Sequence, residues 1–154
     1  MSVTRIENGN LFDSECKYLV NAVNCQGIMG AGIAKQFADR YPKMYEEYKT
    51  LCTCGGYEIG KIRIHEDSGK YIINFPTMRY PGNKSTLINI IKGLQDMKQR
   101  MRYEYQYDNV PVSVAMCAVG CGIGGLNAED VLAEVEKCFK YTNWCNVDFY
   151  MPIA

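Results

Sequence analysis

Continuous apolar runs alternate with helically spaced apolar positions along this chain. Val3 to Ile6 reads as a short strand. Tyr18-Leu19-Val20-Asn21-Ala22-Val23-Asn24 reads as a stronger one, apolar enough for burial on both faces. A glycine-rich turn from Gly27 to Gly32 follows. Ile33, Ala34, Phe37 and Tyr41 then recur at helical spacing as far as Pro42. That proline ends one helix and suits the first turn of the next, which carries Tyr45, Tyr48 and Leu51 on one side. Lys61 to Ile64 and Tyr71 to Phe75 read as two strands joined around Asp67-Ser68-Gly69. Ser85 is the expected cap of a long helix with Leu87, Ile91, Leu94, Met97 and Met101 on its buried stripe. Val112 to Ala118 is another continuous apolar strand, followed by a second glycine-rich turn. Asn127, with Asp130 three residues on, opens a helix containing Val131, Leu132, Val135, Cys138 and Phe139. Val147 to Met151 supplies a last strand. Strands alternating with helices predict a three-layer α/β sandwich around a mixed central sheet.

Composition narrows the setting. The chain has 154 residues, 17 of them basic and 17 acidic, for a formal charge of zero. Its length predicts one domain spanning 1–154. No apolar run approaches the ~20 residues of a membrane span. The start, Met1-Ser2-Val3-Thr4-Arg5-Ile6-Glu7, lacks the basic-then-apolar plan of an export signal, so a cytoplasmic protein is expected. Neutrality argues against coating nucleic acid through a broad basic surface. Lys92, Lys98, Arg100 and Arg102, at helical spacing, read as a solvated face. Eight cysteines are the unusual count. Cys117 and Cys138 sit in apolar surroundings and read as reduced thiols acting as small hydrophobes. Cys52-Thr53-Cys54 and Cys117-x3-Cys121 are poor zinc spacings, and His65 is the only histidine, so no metal is expected. His65 itself reads as a surface residue.

The informative feature is a pair of turns, Gly27-Ile28-Met29-Gly30-Ala31-Gly32 and Gly120-Cys121-Gly122-Ile123-Gly124-Gly125. Each follows an apolar strand and precedes a helix. Glycine lets backbone approach a ligand closely, and a helix N-terminus adds unpaired N–H groups with partial positive charge. Two such turns side by side would form a cleft suited to a diphosphate. The Walker A run Gly-x4-Gly-Lys-Ser/Thr is absent. A Rossmann fingerprint would place its glycines after the first strand and an acid ~20 residues later, which does not fit here. What remains is a nucleotide diphosphate held by backbone groups. Asn24, and with less force Asn21, offer amides suited to ribose hydroxyls; a turn-forming role is the alternative for both. Cys25 and Cys121 stand beside the turns, where a thiol is either buried or reactive.

These segments resemble the macro domain. The resemblance rests on Gly9-Asn10-Leu11, Val20 to Asn24, Gly27 to Phe37 and Gly120 to Leu126, in order and spacing from about Val3 to Met151. Asn74-Phe75-Pro76-Thr77, with Arg79, narrows it to the macro domains of antitoxins that remove ADP-ribose from DNA and of terminal ADP-ribose glycohydrolases. The resemblance implies a macro-type α/β/α sandwich. It also implies a ligand-binding set of Asn10, Leu11, Asn21, Gly30, Ala31, Gly32, Ile33, Thr77 and the segment Gly120, Cys121, Gly122, Ile123, Gly124, Gly125, Leu126. Asn10 takes the position of an aspartate that receives the adenine amino group; the two turns wrap the diphosphate; Asn24 contacts the distal ribose, where cleavage occurs. Phe149 or Tyr150 would stack on adenine.

Two departures stand out. Those branches place a catalytic lysine after the threonine, where this chain has Met78. The terminal glycohydrolases also use an aspartate in the second turn, at the position of Gly124. Lys84 reads first as a solvated loop lysine and second as a substitute reaching the site. Without a lysine, hydrolysis can still run on a water oriented against the substrate's own phosphate, with Asn24 positioning the ribose. The expected function is an ADP-ribosyl hydrolase acting on a modified macromolecule, DNA or protein. An ADP-ribose 1″-phosphate phosphatase and a non-catalytic reader are the alternatives. No cofactor is expected.

Overall fold

A computed structural model describes residues 2–153. Six strands form one sheet: β1 (Val3–Ile6), β2 (Tyr18–Val23), β3 (Arg63–Asp67), β4 (Lys70–Pro76), β5 (Val112–Cys117) and β6 (Cys145–Tyr150). Their order is β1-β6-β5-β2-β4-β3. All neighbouring pairs are parallel except β3 with β4, which form an antiparallel edge hairpin. The sheet is therefore mixed.

The inner strands show why the apolar runs are continuous. Leu19, Val20, Ile72, Ile73, Val114, Ala115 and Met116 are fully buried. Neighbouring residues on a strand face opposite sides, so such a run needs cover on both. Four helices supply it: α1 (Gly32–Arg40), α2 (Pro42–Thr53), α3 (Leu87–Asp108) and α4 (Ala128–Phe139). Adjacent residues of β4 show the two layers. The Asn74 amide meets the Met44 sulfur of α2, while a Cβ on Gly93 of α3 would run into the Phe75 ring.

Local sequence explains the helix ends. Pro42 occupies the first turn of α2. Asn127 caps α4, its side chain accepting from the Glu129 and Asp130 amides at 2.8 and 3.3 Å. The expected cap of α3 is wrong by one residue. Thr86 takes that role by accepting from the Asn89 amide, and Ser85 turns inward to donate to the Thr77 carbonyl at 2.8 Å. The buried stripe shifts with it, to Ile90, Gly93, Leu94, Met97 and Met101, leaving Ile91 only half-buried. β3 begins at Arg63, two residues beyond its expected start, because Ile62 instead sends its amide to the Asp96 carboxylate at 2.8 Å. β6 likewise begins two residues early, at Cys145.

All eight cysteines are free. Burial pushes the Cys117 and Cys145 thiols up to about 12, as befits small core hydrophobes.

Gly93 gives a direct test of the α3 layer. Its hypothetical Cβ would lie 2.6 Å from one Phe75 ring carbon and closer to another. Gly93→Ala is expected to destabilise the protein by about 1–3 kcal/mol through overpacking, despite alanine's better helix propensity. Urea unfolding monitored by circular dichroism measures it.

Candidate ligand-binding site

β2 and β5 lie side by side and run in the same direction, so their C-terminal ends adjoin. From β2 the chain departs through α1 and α2 toward β3 and β4; from β5 it departs through α4 toward β6 on the other side. A crevice opens where neighbouring connections diverge in this way. Both glycine-rich turns sit at that point. Between them lies a cavity of about 260 Å³.

The first turn is organised by Asn24. Its Oδ1 accepts from the Gln26 amide at 2.9 Å, and its Nδ2 donates to the Ile28 carbonyl at 2.7 Å. The Tyr48 hydroxyl lies 2.8 Å from both the Asn24 carbonyl oxygen and Oδ1. Tyr48 is fully buried, and burial drives its phenol far above the usual range, so it acts only as a neutral donor. These bonds leave one Nδ2 hydrogen of Asn24 for a ligand. The loop then enters α1 at Gly32, whose φ of +58° favours glycine. No side chain caps that helix start, so its first N–H groups keep their donor capacity beside the cavity.

The second turn closes through Cys121 N–H to the Ala118 carbonyl, Gly125 N–H to Gly122 and Leu126 N–H to Gly120. The N–H groups of Gly122, Ile123 and Gly124 have no acceptor among the described residues, and all three residues line the cavity. A Cβ at Gly122 would meet nothing within 4 Å. At Gly124 it would run into the Ser85 hydroxyl and lie 2.6 Å from the Gly120 carbonyl oxygen. Any side chain there, an aspartate included, would have to displace the Ser85–Thr77 contact. The cavity is thus walled by amide groups and apolar side chains, Ile28, Ile33, Met78 and Ile123 among them, with no carboxylate in its lining. That chemistry suits a polyanion approached by backbone.

Of the sequence-predicted residues, the cavity gathers Asn24, Gly30 to Ile33, Thr77, Gly120 and Gly122 to Gly124. Others lie outside its lining. Asn10 is exposed and caps a short 3-10 turn, Leu11–Asp13, by accepting from the Phe12 amide. Leu11 is buried in the core. Asn21 lies inside the sheet, its amide bonded to Asn74 Oδ1 at 3.2 Å, and its own Oδ1 has no partner. Cys121, Gly125 and Leu126 complete the second turn behind the cavity. Lys84 is exposed, its Nζ 3.3 Å from the Ile123 carbonyl oxygen. Met78 lines the cavity, where the resemblance implies a lysine. Phe149 is fully buried and has no face free for stacking, whereas Tyr150 is half-buried against Gly9. Burial pushes the Cys25 and Cys121 thiols up to about 11, so neither is a nucleophile near neutral pH.

His65 is the clearest correction. It is 7% exposed, with Nδ1 3.0 Å from Glu47 Oε1 and Nε2 2.7 Å from the Tyr57 hydroxyl. Asn74 Nδ2 donates to the same hydroxyl at 3.0 Å, and the Glu47 carboxylate can only accept, so the hydrogen bond on that side comes from Nδ1–H. The Tyr57 ring packs edge-on against Tyr48 at 4.9 Å. The histidine therefore supports Asn24 at second hand through two tyrosines. Sequence reasoning missed this network because Glu47, Tyr57 and Asn74 come from three separate segments. The one available signal was Asn74, a polar residue inside the otherwise apolar run Tyr71 to Phe75.

Comparison with known proteins fits this geometry. A model of the macro domain family matches residues 20–135, and the chain belongs to that family. It is 38% identical over 149 residues to a DNA ADP-ribosyl glycohydrolase of Mycobacterium tuberculosis, covering 94% of this chain and 41% of that protein. The chain thus spans about two fifths of that relative's length. The solved macrodomain of Mycobacterium tuberculosis DarG superposes with a TM-score of 0.88 at 37% identity, covering 97% of both chains. Thermosipho africanus DarTG, solved in complex with ADP-ribose, superposes with a TM-score of 0.81 at 25% identity over 97% of this chain and 42% of that one.

Tyr48→Phe probes the support of Asn24. Removing the hydroxyl leaves the Asn24 oxygens short of a buried donor, at a cost of about 1–2 kcal/mol in stability. Urea unfolding should show that loss while the secondary-structure spectrum stays unchanged.

Proposed function

We propose that this protein binds ADP-ribose in the cavity between the two glycine-rich turns and hydrolyses its link to a modified macromolecule, with DNA the favoured carrier. The observation that carries the reading is the set of unpaired amides on Gly122, Ile123 and Gly124, opposite the uncapped start of α1. A diphosphate is the ligand that fits it. The resemblance to a DNA ADP-ribosyl glycohydrolase and to an ADP-ribose complex supports both ligand and reaction.

The assigned roles follow from the geometry. Gly30 to Ile33 and Gly122 to Gly124 hold the diphosphate by backbone donors; Gly120 and Thr77 shape the floor. Asn24 gives its remaining amide hydrogen to the distal ribose. It positions that ring but moves no proton, since a carboxamide is neither an acid nor a base near neutral pH. Water attacks the anomeric carbon as the bond from that carbon to the carrier breaks; the water oxygen stays on the sugar, the bonding pair leaves with the carrier, and the water's proton passes to the carrier by way of the substrate's own phosphate. Preorganised amides stabilise the charge throughout. Met78 takes no part in proton transfer. A reader that binds ADP-ribose without turnover is the second reading, favoured by that same methionine. The eight free thiols support a cytoplasmic setting.

The test is a side-by-side assay on an ADP-ribosylated oligonucleotide, an ADP-ribosylated protein and ADP-ribose 1″-phosphate. The expected result is ADP-ribose release, fastest from the oligonucleotide, reduced on the order of 10²-fold in Asn24→Ala. Binding without release assigns the reader, and phosphate release alone assigns the phosphatase. Gly122→Glu should abolish ADP-ribose binding in calorimetry without lowering Tm, because its Cβ enters open space. Absence of heat with the intact protein would overturn the reading.

A further inference from the structure

A second, shallower groove continues from the cavity. The two share Thr77 and Met78, and the groove measures about 620 Å³. Its walls are the loop after β4 and the first turns of α3. Arg79, Lys84 and Lys92 line it, and no aspartate or glutamate does. None of these three cations makes a salt bridge among the described residues, although seven ion pairs form elsewhere. Unpaired cations occur elsewhere on the surface too, Arg100 and Arg102 among them, but here three converge on one rim of the candidate site with no carboxylate between them. Tyr80 stands among them, 56% exposed, and Asn89 adds a polar side chain.

The groove also abuts the end of the cavity marked by Asn24. Cys25 N–H donates to the Arg79 carbonyl at 3.2 Å, and Thr77 N–H donates to the Val23 carbonyl at 2.9 Å. We infer that this groove holds a single nucleic-acid strand, its phosphodiesters along Arg79, Lys84 and Lys92 and an unstacked base on Tyr80, while the modified nucleotide delivers ADP-ribose into the cavity. Cations interleaved with an exposed aromatic are how proteins hold single strands without reading sequence. A duplex would offer Tyr80 no free base face, and the ADP-ribose carrier must turn out of any stack to reach a recessed pocket. An acidic peptide would use the cations and leave the tyrosine idle. The inference rests on the proposed reading only for placing the distal ribose at Asn24.

The test uses a fluorescently labelled, unmodified oligothymidylate of about ten nucleotides, with anisotropy read across a salt series. The intact protein is compared with Arg79→Glu/Lys92→Glu, with Tyr80→Ala, and with Arg100→Glu/Arg102→Glu at the far end of α3. Lys84 is left in place because its Nζ rests on the second turn. The Arg79/Lys92 variant is expected to lose at least tenfold in affinity at low salt, and its log–log salt slope to fall by about 1.4 for two phosphate contacts. Tyr80→Ala should lose about tenfold. The Arg100/Arg102 variant should match the intact protein, and calorimetry should give the same ADP-ribose affinity for all. Equal oligonucleotide affinity in the Arg79/Lys92 variant and the intact protein overturns the groove. Equal competition by a polyglutamate peptide of the same charge overturns the nucleic-acid assignment. Loss of ADP-ribose binding by the intact protein would instead overturn the cavity reading, and leaves the oligonucleotide result to judge the groove by itself.

Discussion

The parallel pairing of β2 with β5 is the constraint on which the rest depends. Tyr18, Leu19 and Val20 lie in register with Val114, Ala115 and Met116, so both strands run out at the same side of the sheet, β2 two residues beyond β5. The chain then leaves in opposite directions, and each exit must be a tight turn into a helix or loop. Two sets of backbone donors are thereby brought face to face without any side chain being spent on the task. Slip the pairing by two residues and the turns would part by roughly 7 Å, about the rise of two strand residues, and the crevice would open.

Anion recognition by amides reconciles two facts that first pull apart. The chain is electrically neutral, yet its site suits a ligand with at least two negative charges. Partial charge at an uncapped helix start and on three unpaired amides supplies the attraction locally. Such donors are fixed by the fold and need no reorganisation when the ligand arrives. What side chains contribute is support. Asn24 shapes the first turn, Tyr48 holds Asn24, Tyr57 packs on Tyr48, and His65 orients the Tyr57 hydroxyl. Ser85 plays the matching part in the second turn by tying Thr77 to the Gly124 loop.

Much of this was legible in the sequence because it is written locally. β2 and β5 read as continuous apolar runs, the α4 cap is an asparagine three residues before an aspartate, and the turns declare themselves by glycine. The parts that were not legible depend on partners far along the chain. His65 reads as surface until Tyr57 and Glu47 arrive from two other segments to satisfy both its nitrogens. Ser85 reads as a cap until the second turn, almost forty positions later, draws it inward. Ile90 and Ile91 are indistinguishable by hydrophobicity, and only the register set by Thr86 decides which faces the core. Asn10 and Leu11 stand in a motif of the resemblance, and the fold sets Asn10 as the cap of a short turn and Leu11 in the core.

The central claim is that backbone amides of two turns, rather than charged side chains, hold the ligand. Amide-resolved NMR during titration with ADP-ribose tests it most directly. The largest shifts are expected on the amides of Gly30 to Ile33 and Gly122 to Gly124. Smaller changes should appear at the Asn24 side chain. Shifts confined to lysine and arginine side chains, with those amides unmoved, would contradict it.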